Sequence, residues 1–447
     1  MPKAHYIFAL PEWLPKLGGL ATFYVQLGKL FCEQGIEVTV LVAQKDLDTS
    51  GWPGLRIVNL EKAKNQWRGE LSKFLPEDWS LSSYALAHGF AIRDWLIANT
   101  KADDKNIVFA AEFLGYASIL CDEKLPPIIV TAHGSIGQME KNSQEQLGAG
   151  DIDFIRSLES ESLLRADVAT AYSPSNAKEW TKALRQEITF VPPPFILPGR
   201  LEKQSSGKEI KGIVVGRLQD WKGAIVLAQA LEKLPDTLPL SIDWIGADTQ
   251  SSPKGESMAK WLESEFPKVW ARRFNWLGPL PRNEVAQRQS EADFALIPSN
   301  WDTLNFTALE AMSAGTPVII STAAGASYLV ESGHNGFVFP AGDADALNKI
   351  LMQLTNEPST LIDCGIKARS TMEAQFKPDE IVRRYSELAE NAKEAAANPL
   401  AYLRKGGTAT ALSSIIDTLS SGNDLPKRGG RELFSALTQK LGNRIGF

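Results

Sequence analysis

The chain has 447 residues, of which 44% are hydrophobic and 22% are charged, a balance that excludes wholesale disorder and fibrous repeats. Asp and Glu outnumber Lys and Arg by 53 to 47, and the resulting net charge of -6 disfavours a nucleic-acid-binding role. A chain of this length corresponds to about two or three domains of ~100–200 residues.

The cysteines and the apolar runs indicate the compartment. Cys32, Cys121 and Cys364 are too far apart in sequence for a zinc-ligand spacing or for the disulfide framework of a small secreted protein. The first residues lack the pattern of a signal peptide, and no run reaches the ~20 apolar residues that span a bilayer. We therefore expect a cytoplasmic protein.

The N-terminal segment predicts a parallel strand–helix–strand unit. His5–Leu10 is a short apolar strand, and Ile36–Val42 is a β-branched strand. Between them, apolar residues at helical spacing run from Leu20 to Phe31, and Gly35 ends the predicted helix. Parallel strands joined through a helix are buried on both faces of the sheet. This pattern is typical of a doubly wound α/β domain.

The same alternation continues until a proline-rich break divides the chain. Further strands are predicted at Asn106–Ala110, Ile128–Thr131, Val168–Tyr172 and Ile188–Val191. Prolines 192–194 and the polar stretch through Lys208 predict a boundary, because proline cannot join a central strand. A second series of strands follows at Gly212–Val215, Leu240–Ile245, Phe274–Leu277, Phe294–Pro298, Pro317–Ser321 and Gly336–Phe339.

The predicted organisation is therefore two doubly wound domains and a C-terminal extension. The first domain covers 1–195 and the second covers 209–375. A helix over 376–397 is expected to cross back to the first domain, and a tail of unknown role occupies 398–447. Within the tail, residues 425–447 are basic with apolar residues at helical spacing. They predict either peripheral contact with an anionic inner membrane face or packing against protein.

Two loops at predicted strand ends carry residues that suit an anionic ligand. Arg217 and Lys222 follow a strand and precede a helix, where two cations either bind a diphosphate or are simply solvated. The loop from Pro298 leads into a helix whose free N-terminal amides attract anions. Asp302 or Asn305 alternatively caps that helix.

Two further positions carry weaker signals. The Gly18-Gly19 turn lets the backbone approach a ligand closely, although a plain tight turn explains it equally well. His133 lies just past a predicted strand end, where ligands bind in doubly wound domains, although a lone histidine is usually structural.

Five segments, in the same order along the chain, resemble the retaining glycosyltransferases of family four. These enzymes have the GT-B fold and belong to group 1, which is similar to glycogen synthases and mannosyltransferases. The segments are GGLATFYVQLGKLFCEQGIEVTVL, VGRLQDWKG, WLGPLPRNEVAQRQSEADFALIPS, DTLNFTALEAMSAGTPVI and GASYLVESGHNGFVFPAGDADAL. The resemblance covers roughly residues 5–395. It implies an α/β fold of two Rossmann-like doubly wound domains that face each other across a cleft.

The resemblance also implies roles for individual residues. Two residues match the family's catalytic positions. His133 matches a histidine near the reacting sugar, and Asp302 stands where the family has its first glutamate, which is one methylene longer. Glu310 matches the glutamate that holds the nucleotide ribose. Positions around the donor diphosphate match Gly19, Arg217, Lys222, Thr303, Leu304 and Asn305.

The activity implied is transfer of a hexose from a UDP- or GDP-sugar to a hydroxyl, with retention of anomeric configuration. The acceptor is a carbohydrate, a lipid-linked molecule or a small molecule, and neither a metal nor a separate cofactor is expected.

Two Asp-x-Asp sequences, Asp151 with Asp153 and Asp343 with Asp345, leave a metal site open as an alternative to helix capping. A GT-B phosphorylase or epimerase and a non-catalytic partner subunit are the alternative functions. A dehydrogenase is disfavoured because Leu17–Leu20 lacks the Gly-x-Gly-x-x-Gly turn.

Overall fold

The computed structural model describes residues 5–14, 18–73, 75–101, 105–142, 149–199 and 209–398. The predicted basic segment at 425–447 lies outside the described residues. Among the described helices, none combines the length and apolar character that a membrane span requires.

The first domain is built on a seven-stranded parallel sheet in the order β3-β2-β1-β4-β5-β6-β7. Its strands are β1 (His5–Ala9), β2 (Glu37–Val42), β3 (Leu55–Asn59), β4 (Asn106–Ala111), β5 (Ile128–Ala132), β6 (Val168–Ala171) and β7 (Thr189–Phe190). Its helices are α1 (Gly19–Glu33), α2 (Glu61–Leu71), α3 (Ser80–Asn99), α4 (Ile136–Asn142), α5 (Ala149–Arg165) and α6 (Pro174–Leu184), with a 3₁₀ segment at Phe113–Leu120. Every residue of β4 and β5 is buried, as expected for central parallel strands.

The second domain is built on a six-stranded parallel sheet in the order β10-β9-β8-β11-β12-β13. Its strands are β8 (Ile210–Val215), β9 (Leu240–Ile245), β10 (Phe274–Gly278), β11 (Phe294–Ile297), β12 (Val318–Ser321) and β13 (Gly336–Phe339). Its helices are α7 (Ala224–Glu232), α8 (Met258–Glu265), α9 (Pro267–Arg272), α10 (Arg282–Glu291), α11 (Phe306–Ser313), α12 (Ala344–Asn356) and α13 (Ser359–Gln375), with 3₁₀ segments at Asp220–Lys222 and Gly325–Leu329.

Both sheets reverse their strand order beside their first strand. In the first sheet β1 pairs with β2 on one side and with β4 on the other, and in the second sheet β8 pairs with β9 and with β11. Such a reversal opens a crevice at the carboxyl ends of the strands, where ligands bind in this architecture. The predicted fold class of two Rossmann-like domains is confirmed.

Helix α14 (Pro378–Ala397) connects the two domains through apolar contacts. It packs against α1 and against β4, β5 and β6 of the first sheet. The buried Tyr385 hydroxyl donates a hydrogen bond to the Pro192 carbonyl at 3.0 Å, which fixes α14 to the segment that joins the domains. One apolar cluster therefore extends from the first domain through α14 into the second.

Some elements differ from the sequence-based expectation. No element was predicted between Val42 and Asn106, where the structure has β3, α2 and α3. The predicted strand Ile188–Val191 pairs only over Thr189–Phe190, because β6 offers a short edge and Pro192 cannot extend the ladder.

A buried ion pair in the first domain generates a stability prediction. Arg93 on α3 donates to Asp122 at 3.0 Å, and both side chains are almost completely buried. Because Asp122→Ala leaves a buried uncompensated guanidinium, we expect it to lower the free energy of unfolding by about 3–5 kcal/mol. Denaturant titration measures the change.

The matched control for this prediction is Arg383→Ala, which removes an arginine that pairs with Glu380 and Glu387 on the exposed surface of α14. Exposed pairs are screened by solvent, so this variant should unfold like the wild-type protein. Equal losses in the two variants would contradict the account.

Candidate active site

A cleft with a cavity volume of about 710 Å³ lies between the carboxyl ends of the two sheets. All the residues for which the sequence predicted a role line this cleft: Gly19, His133, Arg217, Lys222, Asp302, Thr303, Leu304, Asn305 and Glu310. Gly19 begins α1, and a Cβ atom built on it would lie 3.7 Å from the Phe306 ring at the start of α11. The N-termini of two helices, one from each domain, therefore meet at the cleft.

The loop after β8 holds Lys222 in a fixed position. Gly223 has a φ of +80°, and a Cβ atom there would lie 1.9 Å from the Pro298 carbonyl oxygen, so only glycine fits. Asn300 binds the same loop from the β11 side, because its backbone N–H donates to the Trp221 carbonyl at 2.7 Å. These contacts bring the loops after β8 and β11 together.

Lys222, Asp302 and Asn305 form one hydrogen-bonded group. The Lys222 ammonium lies 2.5 Å from Asp302 Oδ2, and the Asn305 amide donates to the same oxygen at 2.9 Å. Asn305 has a φ of +82°, a left-handed conformation that asparagine tolerates better than most residues. Its Oδ1 accepts from Ala308 N–H at 3.1 Å, so Asn305 rather than Asp302 caps α11.

Thr303 joins the two domains by hydrogen bonds. Its hydroxyl donates to the His133 carbonyl at 2.9 Å, and its own carbonyl accepts from the Ser173 hydroxyl at 2.5 Å. The Tyr172 hydroxyl donates to the same His133 carbonyl at 2.6 Å. The loop after β11 is thus tied to the loops after β5 and β6.

The His133 imidazole is buried beside three aromatic rings. The ring centroids of Phe23, Tyr24 and Tyr172 lie 4.8, 5.4 and 4.9 Å from it. Neither of its ring nitrogens has a hydrogen-bond partner among the described residues. Burial lowers the pKa of His133 to about 3, so the ring is neutral at physiological pH and keeps one donor and one acceptor for a ligand.

Sequence reasoning missed Glu112, which lies directly after β4. Its carboxylate accepts from the backbone N–H groups of His133 at 2.6 Å and Gly134 at 2.7 Å. Burial raises the pKa of Glu112 to about 7. The available signal was a carboxylate inside the apolar run Asn106–Leu120, where an unpaired charge is costly.

A second ion pair lies at the far end of the cleft. Glu310 on α11 lies 3.5 Å from Arg282, a residue that sequence reasoning did not select. Burial raises the pKa of Glu310. The Arg217 guanidinium lies over the Trp221 ring at 5.9 Å, which restricts its orientation near the cleft.

The Asp-x-Asp pairs have other partners. Asp151 lies in the first turn of α5 rather than before that helix, and its carboxylate accepts from the N–H groups of Leu81 and Ser82 at the start of α3. Asp343 caps α12, and Asp153 and Asp345 pair with Arg156 and Lys233, respectively. Within the described ranges, no group of three or more His, Cys, Asp or Glu side chains is arranged to hold a metal ion.

Comparison with known proteins finds a family model that matches the second domain and solved structures that have a similar fold. Residues 200–371 match the family model described as Glycosyl transferases group 1. The amylovoran biosynthesis glycosyltransferase AmsK of Erwinia amylovora is 30% identical over 120 residues, which are 26% of this chain and 30% of AmsK. The aligned segments cover 30%, 38% and 34% of the first three curated relatives, so the chain spans about a third of their length.

Two solved structures share the fold over nearly the whole described chain. Sucrose-phosphate synthase from Thermosynechococcus elongatus has a TM-score of 0.66 at 18% identity, covering 88% of this chain and 100% of that one. HepE from Anabaena in complex with UDP has a TM-score of 0.62 at 16% identity, covering 87% and 99%. Residues 200–371 are thus similar to the group 1 glycosyl transferases, and the similarity of fold extends over most of the chain.

Proposed function

We propose that the protein transfers a sugar from a nucleoside-diphosphate sugar to an acceptor hydroxyl. The observation that carries the proposal is the convergence of Arg217, Lys222 and the N-terminus of α11 on one cleft. Two cations and a set of free helix amides are the donors that a diphosphate requires. HepE, which shares this fold, was solved with UDP and with UDP-glucose, and this supports a uridine nucleotide as the donor.

In the proposed complex, the second domain binds the nucleotide. Glu310, inside α11, accepts hydrogen bonds from the ribose hydroxyls, while the backbone amides at Thr303, Leu304 and Asn305, in the loop that leads into α11, receive the diphosphate. Arg282, 3.5 Å away, opposes the rise that burial causes in the pKa of Glu310 and so favours the ionised form that such acceptance needs. Gly19 leaves room for the diphosphate at the opposing helix N-terminus.

The ion pair between Lys222 and Asp302 suggests how the donor is engaged. A diphosphate carries more negative charge than one carboxylate, so it displaces Asp302 from Lys222. The released Asp302 carboxylate then accepts hydrogen bonds from hydroxyls of the donor sugar, while the Asn305 side-chain amide still donates to its Oδ2.

The chemical step follows from the same arrangement. The bond between the anomeric carbon and the diphosphate oxygen breaks, its electron pair stays on the diphosphate, and the acceptor oxygen bonds to the same face of the sugar. The acceptor proton passes to the departing diphosphate oxygen. Arg217, Lys222 and the α11 amides stabilise the charge that grows on the leaving group, which accelerates the step. Neutral His133 binds a hydroxyl of the sugar or acceptor.

Lys222→Ala tests the diphosphate site. Charge-assisted hydrogen bonds are worth roughly 1.5–3 kcal/mol, so we expect calorimetry to show nucleoside-diphosphate binding about 10- to 100-fold weaker. Lys233→Ala is the matched control, because Lys233 also lies 2.5 Å from an aspartate, Asp345, but outside the cleft. Affinity that is equal in both variants would remove Lys222 from the donor site.

Asp302→Asn and Glu310→Gln separate the sugar contact from the ribose contact. Loss of the Asp302 charge frees Lys222, and because such a pair is worth up to about 1 kcal/mol, the bare nucleotide should bind about two- to fivefold more tightly. Turnover of the sugar nucleotide should nevertheless fall.

Glu310→Gln should weaken binding of both the bare nucleotide and the sugar nucleotide. Calorimetry and a steady-state transfer assay measure the two effects. If Asp302→Asn changes neither affinity nor turnover, Asp302 has only a structural role in its loop.

A further inference from the structure

The mechanism above leaves Glu112 without a role, a buried ionisable side chain directly behind the cleft-lining residues His133 and Gly134. Glu112 is completely buried at the carboxyl end of β4, the strand beside the switch point of the first sheet. Each of its two carboxylate oxygens accepts one backbone N–H, from His133 at 2.6 Å and from Gly134 at 2.7 Å. A buried carboxylate is costly to retain unless its partners need it.

The His133 backbone is restrained on both sides by these contacts. Glu112 holds the N–H, while the Tyr172 and Thr303 hydroxyls donate to the carbonyl at 2.6 and 2.9 Å. The ring nitrogens, by contrast, have no partner in the described part of the chain. The backbone is thus fixed, while the imidazole lines the cleft with both nitrogens buried and without a partner.

Gly134 makes the restraint necessary. Its φ of +128° is a conformation that glycine adopts readily, so the local sequence does not by itself define the path of the loop. The Thr303 side chain lies against this glycine from the other domain. A small movement of the loop would therefore displace both the imidazole and the domain contact.

We infer that Glu112 is the positioning residue for His133, with its ionised carboxylate fixing the 133–134 backbone so that the neutral imidazole meets the bound sugar or acceptor. This inference deepens the proposed function and rests on it for the identity of the ligand. The positioning itself is a property of the free protein.

The ionisation state of Glu112 makes the inference measurable. Burial raises its pKa to about 7, whereas the two N–H donors favour the ionised form. Protonation converts one acceptor oxygen into a hydroxyl, so one of the two N–H bonds is lost as the pH falls below about 7. The titratable groups around Glu112 are His133, Glu159, Tyr24, Tyr116 and Tyr172.

The direct test is the pH dependence of the His133 imidazole signals in nitrogen-15 NMR spectra of the full chain. The chain has 4 histidines, and a His133→Asn variant assigns the signal. Because the pKa of His133 itself is lowered to about 3, an inflection near pH 7 reports Glu112. Glu159 is also buried with a raised pKa, so loss of the inflection in Glu112→Gln, rather than its position, assigns it to Glu112.

The account expects an inflection near pH 7 in the wild-type protein and its loss in Glu112→Gln. Asp151→Asn is the matched control, because Asp151 is also a buried carboxylate that accepts two backbone N–H groups, but at the start of α3. It should keep the inflection. Absence of an inflection in the wild-type protein overturns the inference, and so does its persistence in a Glu112→Gln variant whose spectrum shows the wild-type fold.

Activity provides the second readout. Displacement of a reacting group by about 1 Å costs about 100-fold in rate, so kcat of Glu112→Gln should fall about 100-fold while the affinity for the nucleoside diphosphate stays unchanged. Asp151→Asn should keep the wild-type kcat. A nucleotide affinity that falls together with kcat would indicate general damage and contradict positioning. Failure of every nucleotide to bind would contradict the proposed function and leave the NMR result to decide the role of Glu112.

Discussion

The hydrogen bonds around Thr303 are the constraint on which the geometry of the cleft depends. Thr303 binds the His133 carbonyl through its hydroxyl and the Ser173 hydroxyl through its carbonyl, so a single residue joins the carboxyl edges of both sheets. Helix α14 and the Tyr385 contact with Pro192 support the same domain arrangement from behind. Because the loops on both sides of the cleft meet at Thr303, a change in domain closure would move His133, Asp302 and the start of α11 together.

Within this frame, the charged side chains that line the cleft contact partners within the protein. Lys222 pairs with Asp302, Arg282 pairs with Glu310, and Arg217 lies over Trp221. In the proposed donor complex, a diphosphate would compete with Asp302 for Lys222, and this competition would lower the affinity for anions that carry a single charge. The same exchange would release the Asp302 carboxylate only when a donor is present, which links donor binding to completion of the site.

The sequence was sufficient to predict every strand of the two sheets except β3, and many of the residues around the cleft. Strand ends and glycine turns lie at fixed places in a doubly wound domain, so His133, Lys222 and Glu310 follow from local pattern. The contact between Lys222 and Asp302 joins positions 80 residues apart and depends on how Gly223 packs against Pro298. Glu112 was not predicted because it binds backbone N–H groups of another loop. Any well-placed acceptor can make such contacts, so no local sequence spacing indicates them.

The most direct measurement is calorimetric titration of the full chain with UDP-, GDP-, ADP- and dTDP-sugars in the presence of EDTA. The account assigns the diphosphate charge to Arg217, Lys222 and the α11 amides, so at least one sugar nucleotide should bind with one-to-one stoichiometry and without a divalent metal. Binding should weaken as salt concentration rises, since the contacts are largely ionic. Binding of none of these nucleotides, or binding only after Mn²⁺ is restored, would contradict the account.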